Sequence, residues 1–460
     1  MGSVFSRNTL VTALEHRSAV WAIALSGLCV RICWLLFVVH YPLMSDSASY
    51  ARMAMHLAAG ECFIPYWPPG LPLYLAAVIR TAGSAALLLR FAMLPFYLGL
   101  IWALHRAALA FYCDRAVASL ALLPIAFAPA MISASAEPMT ELPAAFFLTL
   151  LAAALLHPGI SRKSIGASCL AGLAAGCLAL IRPSSLILVS LAALYLLLRS
   201  RRALPALLAS VLPAILVSAW ILYAHRVTGE FVPINTANSR NFFLGNNPLT
   251  PLYRTWWMGS HHESEKLIGL SEDPAEIPDS PALQHELSRR AWTYIAQNPG
   301  HFALRTFNRA CVFFAPDTFT GAFVVENYGL PTIAGLAVVA LDSIFFLALG
   351  LGTIFTLAER LPFEWSQRGH NPMHATLLTA LCIFYAGPYF LAFSHPRYHF
   401  PIEPILSICA ASAAVAFLRN PSLAVPSAGS RVRAAVIACS AAFMFIQVEF
   451  VAIILHTRSM

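Results

Sequence analysis

Long apolar runs constrain the fold of this chain more than any other feature of its sequence. A transmembrane helix needs about 20 predominantly apolar residues. Only 11% of the residues are charged and 59% are hydrophobic, whereas a soluble domain carries roughly 25% charged residues. The sequence therefore predicts an all-α polytopic membrane protein, a bundle of about 11 transmembrane helices. The predicted spans are residues 19–40, 85–110, 116–135, 142–156, 165–181, 185–198, 204–223, 330–358, 373–393, 400–418 and 434–455.

Basic residues in the short loops predict which way the bundle faces. Arg and Lys concentrate in the loops on one side, and this bias marks the cytoplasmic side. The same topology explains the net charge of +8, so the charge does not indicate a nucleic-acid partner. The polar clusters at 41–84, 137–141, 225–328 and 395–399 are then expected to share one non-cytoplasmic face. The basic residues are Arg7, Arg17, Arg106, Arg115, Arg162, Lys163, Arg199, Arg201, Arg202, Arg360, Arg368, Arg419, Arg431 and Arg433.

These loops divide the chain into three parts. Residues 1–224 form an N-terminal transmembrane module, whose first loop, 41–84, is expected to carry short juxtamembrane helices. Residues 225–328 form a non-cytoplasmic loop segment with short helices, and residues 329–460 form the C-terminal transmembrane helices. The chain is expected to be a multi-pass protein of a bacterial inner membrane, with its site facing the periplasm.

Asp46 is the first candidate site residue. It precedes a helix-like segment, 48–59, that Gly60 ends, and the rigid corner Trp67-Pro68-Pro69-Gly70 follows. A carboxylate held at a membrane surface is suited to act as a catalytic base. The alternative is that Asp46 caps the helix that follows, since Asp is a favoured capping residue.

Two further carboxylates, Glu137 and Glu141, lie in a short turn between two predicted spans. Either is able to share a site with Asp46 as a base or as a partner for a polar substrate or cation. The alternative is that both are acidic residues of a solvated turn, placed at a helix start near Pro138 and Pro143.

The remaining candidates are substrate-binding residues at the predicted outer ends of the spans. An Arg at such a position either binds a lipid phosphate or anchors the helix at the membrane interface. The Asn-rich stretch 235–248 suits binding of sugar hydroxyls, although such amides also make ordinary loops. His261, His262 and Glu263 leave a divalent metal possible, and no cofactor is otherwise indicated. The candidates are Arg397, Tyr398, Arg182, Tyr66 and Asn246.

Six stretches together resemble the GT-C superfamily of integral membrane glycosyltransferases. The resemblance is to the branch that contains dolichyl-phosphate-mannose–protein mannosyltransferases and the lipid A aminoarabinose transferase. The aspartate loop followed by the Pro-Pro-Gly corner is its most specific part. The stretches occur in family order as SDSASYARMAMHLAAG, YWPPGLPLYLA, SAEPMTELPAAFFL, LAAGCLALIRPSSLIL, GEFVPINTANSRNFFLGNNP and HPRYHFPIEPIL.

This resemblance implies transfer of a sugar, with inversion, from a polyprenyl-phosphate donor rather than a nucleotide sugar, at the outer membrane face. It places Asp46 at the catalytic aspartate, Glu137 or Glu141 at the acidic position of the second loop, and Arg397 in a region resembling a donor-phosphate contact. The family often has Asp-Glu in the first loop, whereas Ser47 follows Asp46 here. The large lumenal domain of the protein mannosyltransferases is absent, so a lipid or glycan acceptor is indicated more than a protein.

A membrane transporter or a flippase for lipid-linked sugars is the alternative function. Such proteins typically show inverted repeats and helices interrupted near the middle of the membrane. The polar clusters of this sequence instead fall in predicted outer loops. The sequence therefore favours a glycosyltransferase, with the sugar and the acceptor left open.

Overall fold

Helices dominate the described part of the chain, which contains no strand. The computed structural model describes residues 7–61, 66–158, 165–252, 281–357, 373–420 and 430–458. Two 3-10 turns, Pro183–Leu186 and Pro396–Ile402, adjoin the candidate site. The helices are α1 (Arg7–Glu15), α2 (Arg17–Val38), α3 (Ser45–Ala59), α4 (Gly70–Ala82), α5 (Ala86–Phe91), α6 (Leu94–Tyr112), α7 (Arg115–Leu120), α8 (Leu122–Phe127), α9 (Pro129–Ser133), α10 (Glu141–Leu156), α11 (Ile165–Ile181), α12 (Ile187–Ser200), α13 (Ala203–Thr228), α14 (Ala237–Gly245), α15 (Pro281–Gln297), α16 (Pro299–Phe313), α17 (Phe319–Tyr328), α18 (Thr332–Phe355), α19 (Met373–Leu391), α20 (Glu403–Arg419) and α21 (Ser430–Arg458).

The all-α polytopic prediction is confirmed. Within the described ranges, 8 helical segments are long and apolar enough to cross a membrane. The other three predicted spans correspond to shorter apolar helices, Arg115–Phe127, Glu141–Leu156 and Ile165–Ile181. The 8 long segments are Arg17–Val38, Ala86–Tyr112, Pro183–Ser200, Ala203–Thr228, Thr332–Phe355, Met373–Leu391, Pro396–Arg419 and Val432–Ala452.

The predicted span 116–135 is not one continuous helix. It is divided into α7, α8 and α9, and the chain between α8 and α9 is extended at Ala128, with φ −63° and ψ 130°. The cause is Pro129, because the residue before a proline is disfavoured in the α conformation. The apolar pattern hid this break, since both sides of it are equally apolar.

Two buried charged side chains satisfy the backbone groups that this break exposes. Arg31 donates from Nη2 to the carbonyl of Ile125 at 2.7 Å and from Nη1 to that of Ala126 at 2.7 Å. Asp342 accepts a hydrogen bond from the backbone N–H of Ala130 at 3.0 Å. An unsatisfied backbone group is costly inside a bilayer, so these intramembrane charges have a structural role.

Arg90 ties the start of the first loop to the turn before α10. Its fully buried guanidinium donates to the carbonyls of Tyr41 at 2.7 Å, Pro42 at 3.1 Å and Ala136 at 3.1 Å. It also forms a 3.0 Å ion pair with Glu137. The first and second predicted outer loops are therefore held at the same end of the bundle.

Helix α10 forms the centre of the bundle and positions the rest of the site. It packs against α6, α11 and the turn Pro396–Ile402. Its first residue, Glu141, therefore lies beside the turn that carries Arg397.

The Pro-Pro-Gly corner brings α4 into close contact with the end of α11. A Cβ atom at Gly70 would lie 2.9 Å from the backbone carbonyl carbon of Leu180 and 2.7 Å from the side chain of Ile181. Only glycine permits this approach without a backbone shift. The corner is thereby packed next to Arg182, which follows α11.

Candidate active site

Asp46 lies in the first turn of α3 and faces Arg397. Helix α3 begins at Ser45, and its N-cap is Met44, so Asp46 is not the N-cap that one interpretation of the sequence suggested. Its Oδ2 atom is 3.9 Å from Nη2 of Arg397. The first loop and the turn before α20 therefore meet through opposite charges.

Arg397 is held in a mostly apolar setting. Its side chain is 12% exposed and its guanidinium lies 4.0 Å from the centre of the Phe319 ring. Nη1 is 3.4 Å from the sulfur of Met139, and the buried Nε has no hydrogen-bond partner among the described residues. A buried guanidinium with an unused donor is suited to bind an anion.

Glu141 and Arg182 form a second ion pair in the same region. Arg182 Nη2 donates to Glu141 Oε1 at 3.0 Å, and both side chains are mostly buried. Glu141 Oε2 and Arg182 Nε are buried without a hydrogen-bond partner among the described residues. The pair is thus only partly satisfied and retains one acceptor and one donor for a polar ligand or water.

Glu137, in contrast, uses both of its carboxylate oxygens in protein contacts. Oε1 accepts from Arg90 at 3.0 Å and from the hydroxyl of Tyr328 at 2.7 Å, and Oε2 lies 2.8 Å from the hydroxyl of Ser47. Ser47 is next to Asp46 in the first turn of α3. Glu137 therefore anchors the first turn of α3 and so helps to position Asp46.

We expect Glu137→Gln to destabilise the protein. Glutamine keeps the shape of the side chain but leaves the buried Arg90 without a counter-charge, which should cost about 1–3 kcal/mol of unfolding free energy. Thermal unfolding of the purified protein in detergent measures this. Glu61→Gln is the matched control, because the one ion pair of Glu61 among the described residues is an exposed pair with His56. Equal losses in both variants would contradict the anchoring role.

An open cavity of about 300 Å³ lies beside the two ion pairs. It is bounded by α3, the Trp67-Pro68 corner, the 3-10 turn after α11, the stretch 235–241 and the end of α19. Arg182 and Tyr398 line it. A separate void of about 20 Å³, lined by Glu137, Glu141 and Arg397, has room for roughly one water molecule.

Three predicted substrate-binding residues lie outside this cavity lining: Arg397, which lines the smaller void, and Asn246 and Tyr66. Asn246 is buried, and its side-chain amide donates to the carbonyls of Phe242 at 3.0 Å and Leu391 at 3.2 Å, joining α14 to α19. Tyr66 accepts a hydrogen bond from Arg240 at 2.8 Å on its hydroxyl. Asn246 and Tyr66 hold the stretch 235–246 in place.

Other residues that line the cavity were not selected from the sequence. Tyr50 follows Asp46 by one helical turn, and this i, i+4 spacing was a usable signal. Asn238 and Asn241 are spaced by three residues at the start of α14, within the stretch that was noted for its amides. Tyr389 also lines the cavity, but it lies inside a predicted span and nothing local marks it.

The surroundings of Asp46 raise the pKa of its carboxyl above the ordinary value. Removal of water by the neighbouring protein is the main cause, and the charge of Arg397 opposes it. The side chain of Asp46 is nevertheless 40% exposed to solvent, as expected for a group in a crevice that is open on one side. A carboxylate with a raised pKa and solvent access is suited to accept a proton.

The described residues show no cluster of ligands for a metal ion. They include no group of three or more His, Cys, Asp or Glu side chains placed to hold one, and Asp46 and Glu141 each face a guanidinium instead. His261, His262 and Glu263 lie outside the described residues.

Solved structures share the fold of this chain, whereas sequence comparisons find no relative of it. No protein-family model matches the sequence, and no curated protein matches it. The apo oligosaccharyltransferase of Archaeoglobus fulgidus superposes with a TM-score of 0.51 at 14% identity, over 93% of this chain and 54% of that one. The same enzyme in complex with Zn and sulfate superposes with a TM-score of 0.49 at 16% identity, over 92% of this chain and 53% of that one.

The match to the apo oligosaccharyltransferase shows a common membrane fold. At 14% identity this match shows the fold alone, and the GT-C resemblance of the six sequence stretches stays a prediction. The chain spans about half the length of the solved structures that it matches. The similarity therefore supports the fold class and no particular activity.

Proposed function

We propose that this protein is a membrane glycosyltransferase that moves a sugar from a polyprenyl-phosphate donor to an acceptor at the non-cytoplasmic face, with inversion. The observation that carries the proposal is the convergence of Asp46, Glu141, Arg182 and Arg397 next to an open cavity. These four groups come from four separate parts of the sequence. They supply a base and two cations within one site.

The two arginines are suited to stabilise a departing phosphate. Arg182 and Arg397 each have a buried Nε without a hydrogen-bond partner among the described residues. A phosphate oxygen bound there would satisfy these donors and receive charge-assisted hydrogen bonds. Negative charge that develops on the leaving phosphate in the transition state would be stabilised most.

Asp46 is suited to be the base. In the proposed step Asp46 accepts the proton of an acceptor hydroxyl or amine, and the acceptor atom forms a bond to C1 of the sugar. The bond from C1 to the phosphate oxygen breaks at the same time, and polyprenyl phosphate leaves with the electron pair. Attack opposite to the leaving group inverts the configuration at C1.

The geometry favours transfer over transport. A transporter or flippase would be expected to hold its ligand near the middle of the membrane. The buried charges at the break between α8 and α9 instead bind backbone groups. The cavity adjoins the first loop and the ends of α11 and α19.

An assay with purified protein in lipid nanodiscs tests the function. The protein is incubated with donors that carry different sugars on polyprenyl phosphate and with candidate lipid and glycan acceptors. The donor should be consumed and free polyprenyl phosphate should appear in the mass spectrum. A flippase would leave the donor chemically intact, so an intact donor that redistributes across vesicles would overturn the proposal.

We expect the first loop and the start of the segment 225–328 to lie on the same, non-cytoplasmic side. The asymmetry of Arg and Lys between loops is the reason. In a cysteine-free variant, Glu61→Cys and Glu230→Cys should react with a membrane-impermeant thiol reagent in intact cells. Arg201→Cys, on a predicted cytoplasmic loop, should react only after lysis; the reverse pattern would show that the topology is wrong.

A further inference from the structure

One wall of the cavity is built from amides. Asn235, Asn238 and Asn241, together called the amide wall, line it along the start of α14. Arg182 is the one charged side chain of the lining within the described residues, and no carboxylate belongs to it. The nearby carboxylates Asp46 and Glu141 face the guanidinium groups of Arg397 and Arg182.

The amide wall has hydrogen-bonding capacity that the protein does not use. Asn235 is only 7% exposed, and its Nδ2 donates to the carbonyl of Tyr66 at 3.2 Å. Its Oδ1 is buried and has no partner among the described residues. A buried acceptor of this kind is expected to be satisfied by a ligand or by water.

Two aromatic rings complete a lining that suits a sugar. Tyr50 and Trp67 pack against each other, with ring centres 5.3 Å apart, and both line the cavity. Ligand sites commonly combine aromatic surfaces with a few placed polar groups. Amides both donate and accept hydrogen bonds, which matches hydroxyl groups.

Building on the proposed function, we infer that the amide wall binds the transferred sugar and selects an uncharged, hydroxyl-bearing ring over a cationic amino sugar. With the phosphate at Arg182 and Arg397, the attached sugar extends into the cavity. An ammonium group there would lose water, meet no carboxylate among the described residues of the lining and be repelled by Arg182. A volume of about 300 Å³ is at the small end for ligand sites, so it suits a single sugar ring.

Donor binding without acceptor tests this selectivity. The probes are undecaprenyl phosphate carrying glucose and undecaprenyl phosphate carrying 4-amino-4-deoxyarabinose, and native mass spectrometry of the purified protein measures the bound fraction. The glucose donor should bind at least about tenfold more tightly. Asn238→Asp adds a carboxylate to the exposed edge of the amide wall and should shift the ratio towards the amino sugar by about tenfold.

A matched control and a second variant keep the result interpretable. Gln297→Glu makes the same charge change at the exposed end of α15 and should leave the ratio unchanged. Asn241→Asp repeats the test from the next position of the wall. A wild-type preference for the amino sugar would overturn the inference alone. A ratio of the two donor affinities that neither Asp variant changes would overturn it as well. If no donor of the wider panel of polyprenyl-phosphate sugars is consumed, the proposed function itself fails.

Discussion

Asp46→Asn should lower the rate of sugar transfer by roughly 10²–10⁴-fold while the protein stays folded and still binds its donor. Asparagine is nearly isosteric with aspartate, but its amide cannot accept the acceptor's proton. The carboxylate is 3.9 Å from Arg397 and 40% exposed, so losing this partly exposed pair should cost at most about 1 kcal/mol of stability. A single-turnover assay with donor and acceptor measures the rate.

The control for this variant is Glu61→Gln, which removes an exposed carboxylate just after the other end of the same helix. It should transfer sugar at the wild-type rate. Thermal unfolding and donor binding by native mass spectrometry then separate a lost base from a lost fold. Substantial transfer by a well-folded Asp46→Asn variant would remove Asp46 from the mechanism, although the fold assignment would stand.

The same assay has an expected pH dependence. The base must be deprotonated, so the wild-type rate should fall as the pH is lowered through the pKa of Asp46. Because desolvation raises that pKa, the fall should begin at a higher pH than the ordinary value for aspartate, about 3.9. Asp46→Asn should remove this limb from the pH profile.

The membrane-spanning helices could be predicted, because they follow from the apolar pattern. The break within one of them could not, because it depends on contacts of individual residues. The runs of span length predicted the helices, because burial in lipid demands them. The break at Ala128 depends on Pro129 and is stabilised by Arg31, which is about 95 residues away in the chain. Such a distant contact leaves no periodic signal in the sequence.

The site shows the same division. Asp46, Glu141, Arg182 and Arg397 were selected from the sequence, and the structure places them together. Asn246 was selected from the stretch that borders the cavity, but Asn238 and Asn241 line the cavity instead. The amide-rich composition singled out the stretch 235–248. Which of its side chains face the cavity depends on the contacts that the stretch makes with Tyr66.

Arg397→Ala should weaken donor binding strongly, by about 2–5 kcal/mol, because it removes a buried charge from the proposed phosphate site. This corresponds to an increase of roughly 30- to 5,000-fold in the apparent donor constant. Titration of the donor at saturating acceptor measures the constant. Arg397→Lys should recover part of the loss, since lysine keeps the charge but cannot reproduce the planar set of donors.

Packing gives the competing explanation for such a loss, because the guanidinium of Arg397 also lies over Phe319. Thermal unfolding of both variants shows whether the fold persists. Arg289→Ala removes an exposed arginine paired with Glu286 on α15 and should leave the donor constant unchanged. If stable Arg397→Ala protein requires no more donor than wild type, Arg397 is an anchor at the membrane interface. The phosphate would then have to be bound by Arg182 alone, and Arg182→Ala would carry the full loss in donor affinity.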